Sequence, residues 1–472
     1  MSSSRTDPAP ASASGATGPA EAGIADIGDP RQLGPAPGGT PRDALVSATL
    51  GFFVGFAAVA LFSVTAERFK VAMGLGPMQV GLLVAMPALS GSLLRIPFSA
   101  WVDTTGGRRP FLVLLTLSIV GMLGLTGVVT MLYPDRLSGG MYPLLLVLGL
   151  LSGCGIAVFS VGASQVSYWF PRASQGRALA VYAGVGNLAP GIFSMILPVI
   201  LVGWGLAGTY VVWLSLLVVG TLIYASRGRN AWYFQFRKLG AEPLEARRRA
   251  AAMGQELFPS ASLAGGLRIS ARKWRTWVLV CVYFTSFGGF VSLTAWLPTY
   301  WMSFFGIGPL GAGLLTGLFA VLSSSIRIVG GAMSDQLRRG GENTAILALL
   351  IMLNGAALMT LTDQFEVAVP AVLLMAVGMG ICSAAVFKMV PQEVPEAVGG
   401  AAGWVGGLGA FGGFVIPPIM GFAVRQHGAQ GYPLGFVTFI VLALFGLSIM
   451  WVLKYTDDAR EEGRVAEAAS GV

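Results

Sequence analysis

Long apolar stretches separated by short polar ones run through the chain from residue 44 to residue 454. A helix needs about 20 predominantly apolar residues to cross a bilayer. Twelve stretches meet that length, near 44–64, 79–102, 109–132, 142–168, 177–201, 208–226, 275–298, 310–334, 344–362, 367–390, 399–424 and 432–454. The expected class is an all-α membrane protein of twelve transmembrane helices. One long polar segment, Arg227–Arg275, separates the sixth stretch from the seventh. It sets two six-helix bundles, 43–226 and 275–455, on either side of a central loop at 227–274. Residues 1–42 are rich in Ser, Ala, Pro and Gly and carry no apolar core, so they read as a flexible tail and not as a signal peptide. Residues 456–472 form a second tail.

Two arginines interrupt the apolar pattern. Arg95 lies in GLLVAMPALSGSLLRIPFSAWV, and Arg327 in LGAGLLTGLFAVLSSSIRIVGGAMS. A charged side chain in a span costs ~2.5–3.5 kcal/mol on insertion scales. Here that cost is met twice, at related places. RIPFSAWVDTTGGRR (95–109) and RIVGGAMSDQLRRGG (327–341) share the R-I start and the spacing from arginine to aspartate, Asp103 and Asp335. A second pair lies in the fifth and eleventh stretches. Gly184, Asn187 and Gly191 stand at i, i+3 and i+7, and Gly406, Gly409 and Gly413 repeat that spacing. Each trio shares one helix face. The two bundles are therefore expected to be pseudo-symmetric repeats.

Composition narrows the picture further. With 54% hydrophobic and 11% charged residues, the chain has too little polar surface for a soluble domain of its length. The net charge of +8 follows a membrane pattern. Of 30 basic residues, only Arg68, Lys70, Arg136 and Arg425 fall on one side of the spans, and Arg95 and Arg327 lie within them. All the rest lie on the side of the termini and the central loop, which the positive-inside rule places in the cytoplasm. No nucleic-acid partner is needed to explain the charge. The Arg247–Arg249 run reads as topology and lipid headgroup contact, with partner binding as the alternative. Cys154, Cys281 and Cys382 sit in apolar runs without metal spacing, and the single histidine, His427, has no ligand partners nearby. No metal, no cofactor and no enzyme chemistry is expected.

A pair of buried arginines suits a small anion. The guanidinium is always charged and presents a planar fork to two oxygens of one oxyanion. The structural alternative is a snorkelling side chain. A bond from each arginine to its own aspartate is excluded, because eight residues of helix span about 12 Å. All 22 acidic residues fall in tails, loops or span ends. That argues against a side-chain proton relay, which needs an ionisable group within the membrane. The glycine faces read as close helix packing, with approach of backbone to a small ligand as the functional addition. Asn187 needs either a substrate contact or an interhelical hydrogen bond. Phe159, Tyr283 and Phe284 would sandwich a planar anion, or serve only as packing.

Taken together, LLRIPFSAWVDTTGGRR (93–109), GCGIAVFSVGASQVSYWFP (153–171), AGVGNLAPG (183–191), RIVGGAMSD (327–335) and FKMVPQEVPEAVGGAAGWVGGLGAFGGFVIP (387–417) resemble the nitrate–nitrite porter family of the major facilitator superfamily. The resemblance covers most of residues 44–455. It implies the major facilitator fold, with parallel six-span repeats and the substrate between them. It also implies that Arg95 and Arg327 clamp the anion, with Asn187, Gly184, Gly191, Gly409 and Gly413 lining the path. Phe159 takes the aromatic position of the fourth span and Phe284 that of the seventh. One turn before Phe284 the family often has tyrosine, where this chain has Val280. Pro190 departs from the first signature as well and is expected to kink the fifth span. Asp103, Arg109 and Asp335 fall on the gating positions next to the loops after spans 2 and 8.

The resulting expectation is a monomeric, multi-pass carrier in the inner (plasma) membrane. It moves nitrate and nitrite by alternating access, most economically by exchange. Nitrate–proton symport, a carrier of formate or a short dicarboxylate, and a non-transporting sensor are the alternatives.

Overall fold

The computed structural model describes residues 37–259, 263–337, 340–394 and 397–470. Among these, every regular element is helical. Eleven helical stretches are long and apolar enough to cross a membrane. One of them, Arg177–Arg227, has 51 residues, about twice what one crossing takes. Within it Gly205 adopts φ 70° and ψ −174°, in the left-handed range that glycine enters without a Cβ penalty. The chain reverses there. Phe193 and Trp213 lie 5.4 Å apart on the two sides of the turn. Val54 of the first span meets Gly220, while its neighbour Phe53 meets Phe193. The eleven stretches are thus twelve spans.

Span 1 is Pro41–Ala60, span 2 Pro77–Thr105, span 3 Arg108–Leu132 and span 4 Gly139–Trp169. Spans 5 and 6 share Arg177–Arg227. Span 7 is Trp274–Phe304, span 8 Pro309–Ser334, span 9 Gly340–Leu361 and span 10 Phe365–Glu393. Span 11 lies in Val398–Leu434, and span 12 is Val437–Thr456. Span 7 is 89% buried and span 12 only 28%, so the first is an inner element and the second faces lipid.

Seven spans carry a break or an irregular turn, and four of these recur as two pairs, in spans 2 and 8 and in spans 5 and 11. Span 2 turns at Leu94 (φ −68°, ψ −14°), directly before Arg95. Span 8 turns at Ile326 (φ −66°, ψ −13°), directly before Arg327. Span 5 breaks at Leu188, just after Asn187, and span 11 at Gly409–Phe411. Pro190 lacks the N–H that would bond the Gly186 carbonyl, which accounts for the break in span 5. Spans 1 and 4 carry 3₁₀ turns at Ala57–Ala60 and Cys154–Ala157. Span 7 carries a π turn at Phe284–Gly288, a feature that concentrates at functional sites. Spans 3, 6, 9, 10 and 12 run unbroken. Discontinuous helices free backbone groups for ligands only where they line a cavity or are buried in protein.

The two sets of six meet through glycine. On the face away from the central segment, a Cβ on Gly81 of span 2 would lie 2.5 Å from the Pro417 carbonyl of span 11. A Cβ on Gly313 of span 8 would lie 2.3 Å from the Ser194 carbonyl of span 5. Within the first set, Gly153 of span 4 packs on the backbone of Pro87 in span 2, where a Cβ would approach its carbonyl to 2.0 Å. Backbone cannot yield as a flexible side chain does. We expect Gly153→Ala to cost about 1–3 kcal/mol, the range for overpacking a tight interior. Thermal unfolding in detergent checks this, with Gly127→Ala as the neutral control, because nothing lies within 4 Å of a Cβ there.

Candidate anion-binding site

The breaks in spans 2 and 8 bring the two arginines to one aromatic ring. The Arg95 guanidinium carbon lies 5.0 Å from the Phe159 ring centroid and 5.4 Å from that of Phe287. The Arg327 carbon lies 5.0 Å from Phe287 and 5.7 Å from Phe290. Phe287, on span 7, is therefore shared by both charges. Phe56 of span 1 stacks on it at 6.3 Å with planes 6° apart, and Tyr283 stacks at 4.9 Å. Behind Phe159, Phe52 and Tyr182 complete the wall at 5.3 and 6.2 Å. The Tyr182 hydroxyl donates to the Val158 and Phe159 carbonyls, fixing that part of span 4.

The donors are only partly used. Arg95 is 1% exposed. Its Nε donates to the Gly91 carbonyl at 3.1 Å, and its Nη1 donates to the Gly406 carbonyl of span 11 at 2.9 Å. Its Nη2 is buried without a partner among the described residues, as are Nε and Nη2 of Arg327. The Tyr283 hydroxyl sits beside the Arg327 guanidinium. Among the described residues no acidic side chain pairs with either arginine. With both carbons within 5.4 and 5.0 Å of one ring, two unit charges at most about 10 Å apart repel by about 1.7 kcal/mol at that separation and an effective dielectric of about 20, while an anion midway, about 5 Å from each, gains about 3.3 kcal/mol per contact. An anion between the arginines outweighs their repulsion.

Asn187 is 2% exposed. Its Nδ2 donates to the Ala183 carbonyl at 2.7 Å, and its Oδ1 has no partner among the described residues. Its own carbonyl accepts from Ser324 Oγ at 3.0 Å, one turn before Arg327 in the other set of six. The glycines divide. Gly184 faces open space, whereas a Cβ on Gly191, Gly409 or Gly413 would meet Val321, Tyr283 or Val291 at 3.0, 2.6 and 2.5 Å. Those three close helix contacts. Phe284 is half-buried, its carbonyl lies against Gly412, and its ring is not among those over either guanidinium.

The π turn explains the difference in register on span 7. It carries Phe287, not Phe284, to the arginines, and one turn before Phe287 stands Tyr283. The tyrosine that the sequence pattern misses at Val280 is present three residues later. Phe56, Phe287, Phe290 and Ser324 carried no readable signal except the Tyr283–Phe287 spacing.

The residues assigned to gating lie apart. Asp103 accepts from the Tyr168 hydroxyl of span 4. Arg109 is exposed, and among the described residues neither Asp103 nor Arg109 joins an ion pair. The neighbouring Arg108 is tied down instead. Its Nη2 donates to the Ala225 carbonyl and its backbone N–H to Asn230 Oδ1, both at 2.8 Å. The Asp335 side chain lies outside the described residues.

A twelve-span helical chain with paired helix breaks around a buried cationic centre defines a membrane carrier. Residues 48–417 match the model of the Major Facilitator Superfamily, and the chain belongs to that superfamily as a multi-pass plasma-membrane transporter. The fold is shared with a D-xylose–proton symporter (TM-score 0.67, 13% identity, 87% of this chain and 97% of that one). It is shared too with a bacterial homolog of the human lysosomal transporter Spinster (TM-score 0.62, 17% identity, 89% and 98%). By sequence, the chain is 30% identical over 432 residues to the probable nitrate/nitrite antiporter NarK1 of Thermus thermophilus, covering 86% of this chain and 89% of that one. It is 26% identical over 416 residues to the probable nitrate transporter NarT of Staphylococcus aureus strain JH9, covering 87% and 95%. Within the superfamily, the chain belongs to the nitrate–nitrite porter family.

Proposed function

We propose that this protein exchanges nitrate for nitrite across the plasma membrane by alternating access, with Arg95 and Arg327 as a two-arginine clamp. The observation that carries this reading is the convergence of both guanidinium groups on Phe287 with three of their N–H-bearing nitrogens buried and without acceptors among the described residues. A planar oxyanion supplies acceptors in the plane of each fork. The rings of Phe159 and Phe287 cover it without competing for those donors. Asn187 and Gly184 line the approach from span 5, and Asp103, Arg109 and Asp335 belong to the inner gate. The moving bodies are the bundles 43–226 and 275–455, with the central loop 227–274 and both termini in the cytoplasm. The carrier acts as a monomer.

Exchange follows from the charge arithmetic. With two fixed cations and no acidic partner beside them among the described residues, the site without an anion meets a barrier to reorientation that an anion removes. The name of the Thermus relative, an antiporter, agrees. Proteoliposome flux tests the proposal. Nitrate uptake is expected to require nitrite inside the vesicle and to ignore an imposed pH gradient. Uptake driven by a pH gradient with no internal anion would establish symport instead. Competition with formate tests the substrate class, and displacement of nitrate at equal concentration would overturn the assignment.

A further inference from the structure

The central segment holds three helices with two different allegiances. Trp232–Lys238 and Pro243–Ala252 share a small core with Trp169 of span 4, through Trp232, Phe234, Phe236, Ala246 and Ala250. The third helix, Leu263–Ala271, packs on the start of span 11 and also touches Arg95–Thr105 of span 2. It lies across the seam between the two sets of six. Its hold on span 11 is backbone-close. A Cβ on Gly400 would lie 2.3 Å from the Gly266 carbonyl, and Trp404 Nε1 donates to the Leu267 carbonyl at 3.0 Å. Trp277 Nε1 donates to the Ala271 carbonyl and caps the helix, while its ring lies 5.8 Å from that of Trp404. Two residues beyond Trp404, Gly406 offers the carbonyl that Arg95 holds.

The opposite side of this helix is exposed and mixed in character. Arg268 lies in the last turn of the helix and Arg272 in the turn that follows it, both exposed. Beside them Ile269, Trp274 and Trp277 are 46%, 44% and 40% exposed. Cations flanked by indoles and an aliphatic chain match the headgroup boundary of a bilayer, where the rings sit among the glycerol groups and the guanidinium groups meet phosphate. The clustered positive charge selects an anionic headgroup.

We propose that Leu263–Ala271 is a clasp that anionic phospholipid, bound through Arg268 and Arg272, holds over the seam between spans 2 and 11. Lipid on its outer side and Trp404 on its inner side then make the closed state of that seam depend on membrane charge. The device acts on the gate and not on substrate contacts, so it operates with no nitrate present.

Spin labels on Thr104→Cys and Gly399→Cys, with Cys154, Cys281 and Cys382 replaced by serine, report the width of the seam. The protein is measured without nitrate in phosphatidylcholine vesicles, alone or mixed with phosphatidylglycerol. Phosphatidylglycerol is expected to raise the ratio of short to long distances on the order of tenfold, as two basic groups at an anionic surface allow. The R268Q/R272Q variant, changed only at exposed positions, loses that response. Trp404→Phe keeps the arginines and the ring but removes the N–H, and blunts it. The proposal is overturned if the native protein gives one distribution in both lipids, if R268Q/R272Q still responds, or if inorganic phosphate reproduces the shift in neutral vesicles. Because nitrate is absent throughout, none of these results depends on the substrate assignment.

Discussion

Replacing either Arg95 or Arg327 by lysine is expected to lower nitrate flux in proteoliposomes about a hundredfold, although the positive charge is kept. Lysine is a point charge with rotating donors, whereas arginine presents a planar fork that matches a planar oxyanion. A hydrogen bond to a charged group contributes about 1.5–3 kcal/mol, so losing one of the two bonds of a fork removes roughly ten- to hundredfold in affinity. Arg95→Lys forfeits more, because Nε and Nη1 also fix the guanidinium through the Gly91 and Gly406 carbonyls. Arg327 is positioned instead by its ring contacts to Phe287 and Phe290 and by the Tyr283 hydroxyl beside it. Flux and nitrate calorimetry should therefore fall together in both variants. Near-normal transport in either one would end the clamp as an explanation, since charge alone would then suffice.

Phe287→Ala is the second large effect. One ring serves both arginines, and a cation–π contact is worth about 0.5 kcal/mol at an exposed site and about 2 when desolvated. Removing two buried contacts together, about 4 kcal/mol at most, predicts a loss of nitrate affinity of up to about a thousandfold. Phe159 touches Arg95 only, so Phe159→Ala should cost about the square root of that factor. Phe287→Leu retains most of the volume and separates loss of the π face from collapse of the cavity. Equal losses for the Phe287 and Phe159 variants, measured by calorimetry in detergent, would show that the shared ring has no special role.

The fold was legible because lipid writes it in a coarse alphabet. Twelve apolar stretches give the spans, and their limits agree with the structure to a few residues at most ends. The related settings of Arg95 and Arg327 were legible too, since a costly charge stands out against leucine and alanine. What stayed hidden lies in the backbone. The turn at Ile326 has no proline beside it, so no composition signal marks it, whereas Pro97, whose missing N–H leaves the Leu93 carbonyl unbonded, is a cue for the turn at Leu94 that the span pattern alone passes over. The π turn in span 7 adds a fraction of a residue to the helical count and moves the facing ring from Phe284 to Phe287. Periodicity reasoning assumes 3.6 residues per turn, and it slips register wherever a helix departs from that value. The glycines show a different limit. Spacing puts Gly184 and Gly191 on one face, but only packing reveals that the first opens to space and the second abuts span 8.

The reversal at Gly205 bears on the style of motion. Spans 5 and 6 are joined by a single residue, with helix directly on either side. Such a joint has no slack to absorb a sliding helix. Span 5 also carries the far-face contacts to Gly313 and Gly317 of span 8, while span 6 is packed on spans 1 and 3 through Val54 and Phe111. A separation at span 5 is therefore transmitted through the hairpin to the whole first bundle. On the proposed alternating-access reading, opening on that face is expected to swing the bundle as a hinged wall and not to slide one helix as a latch.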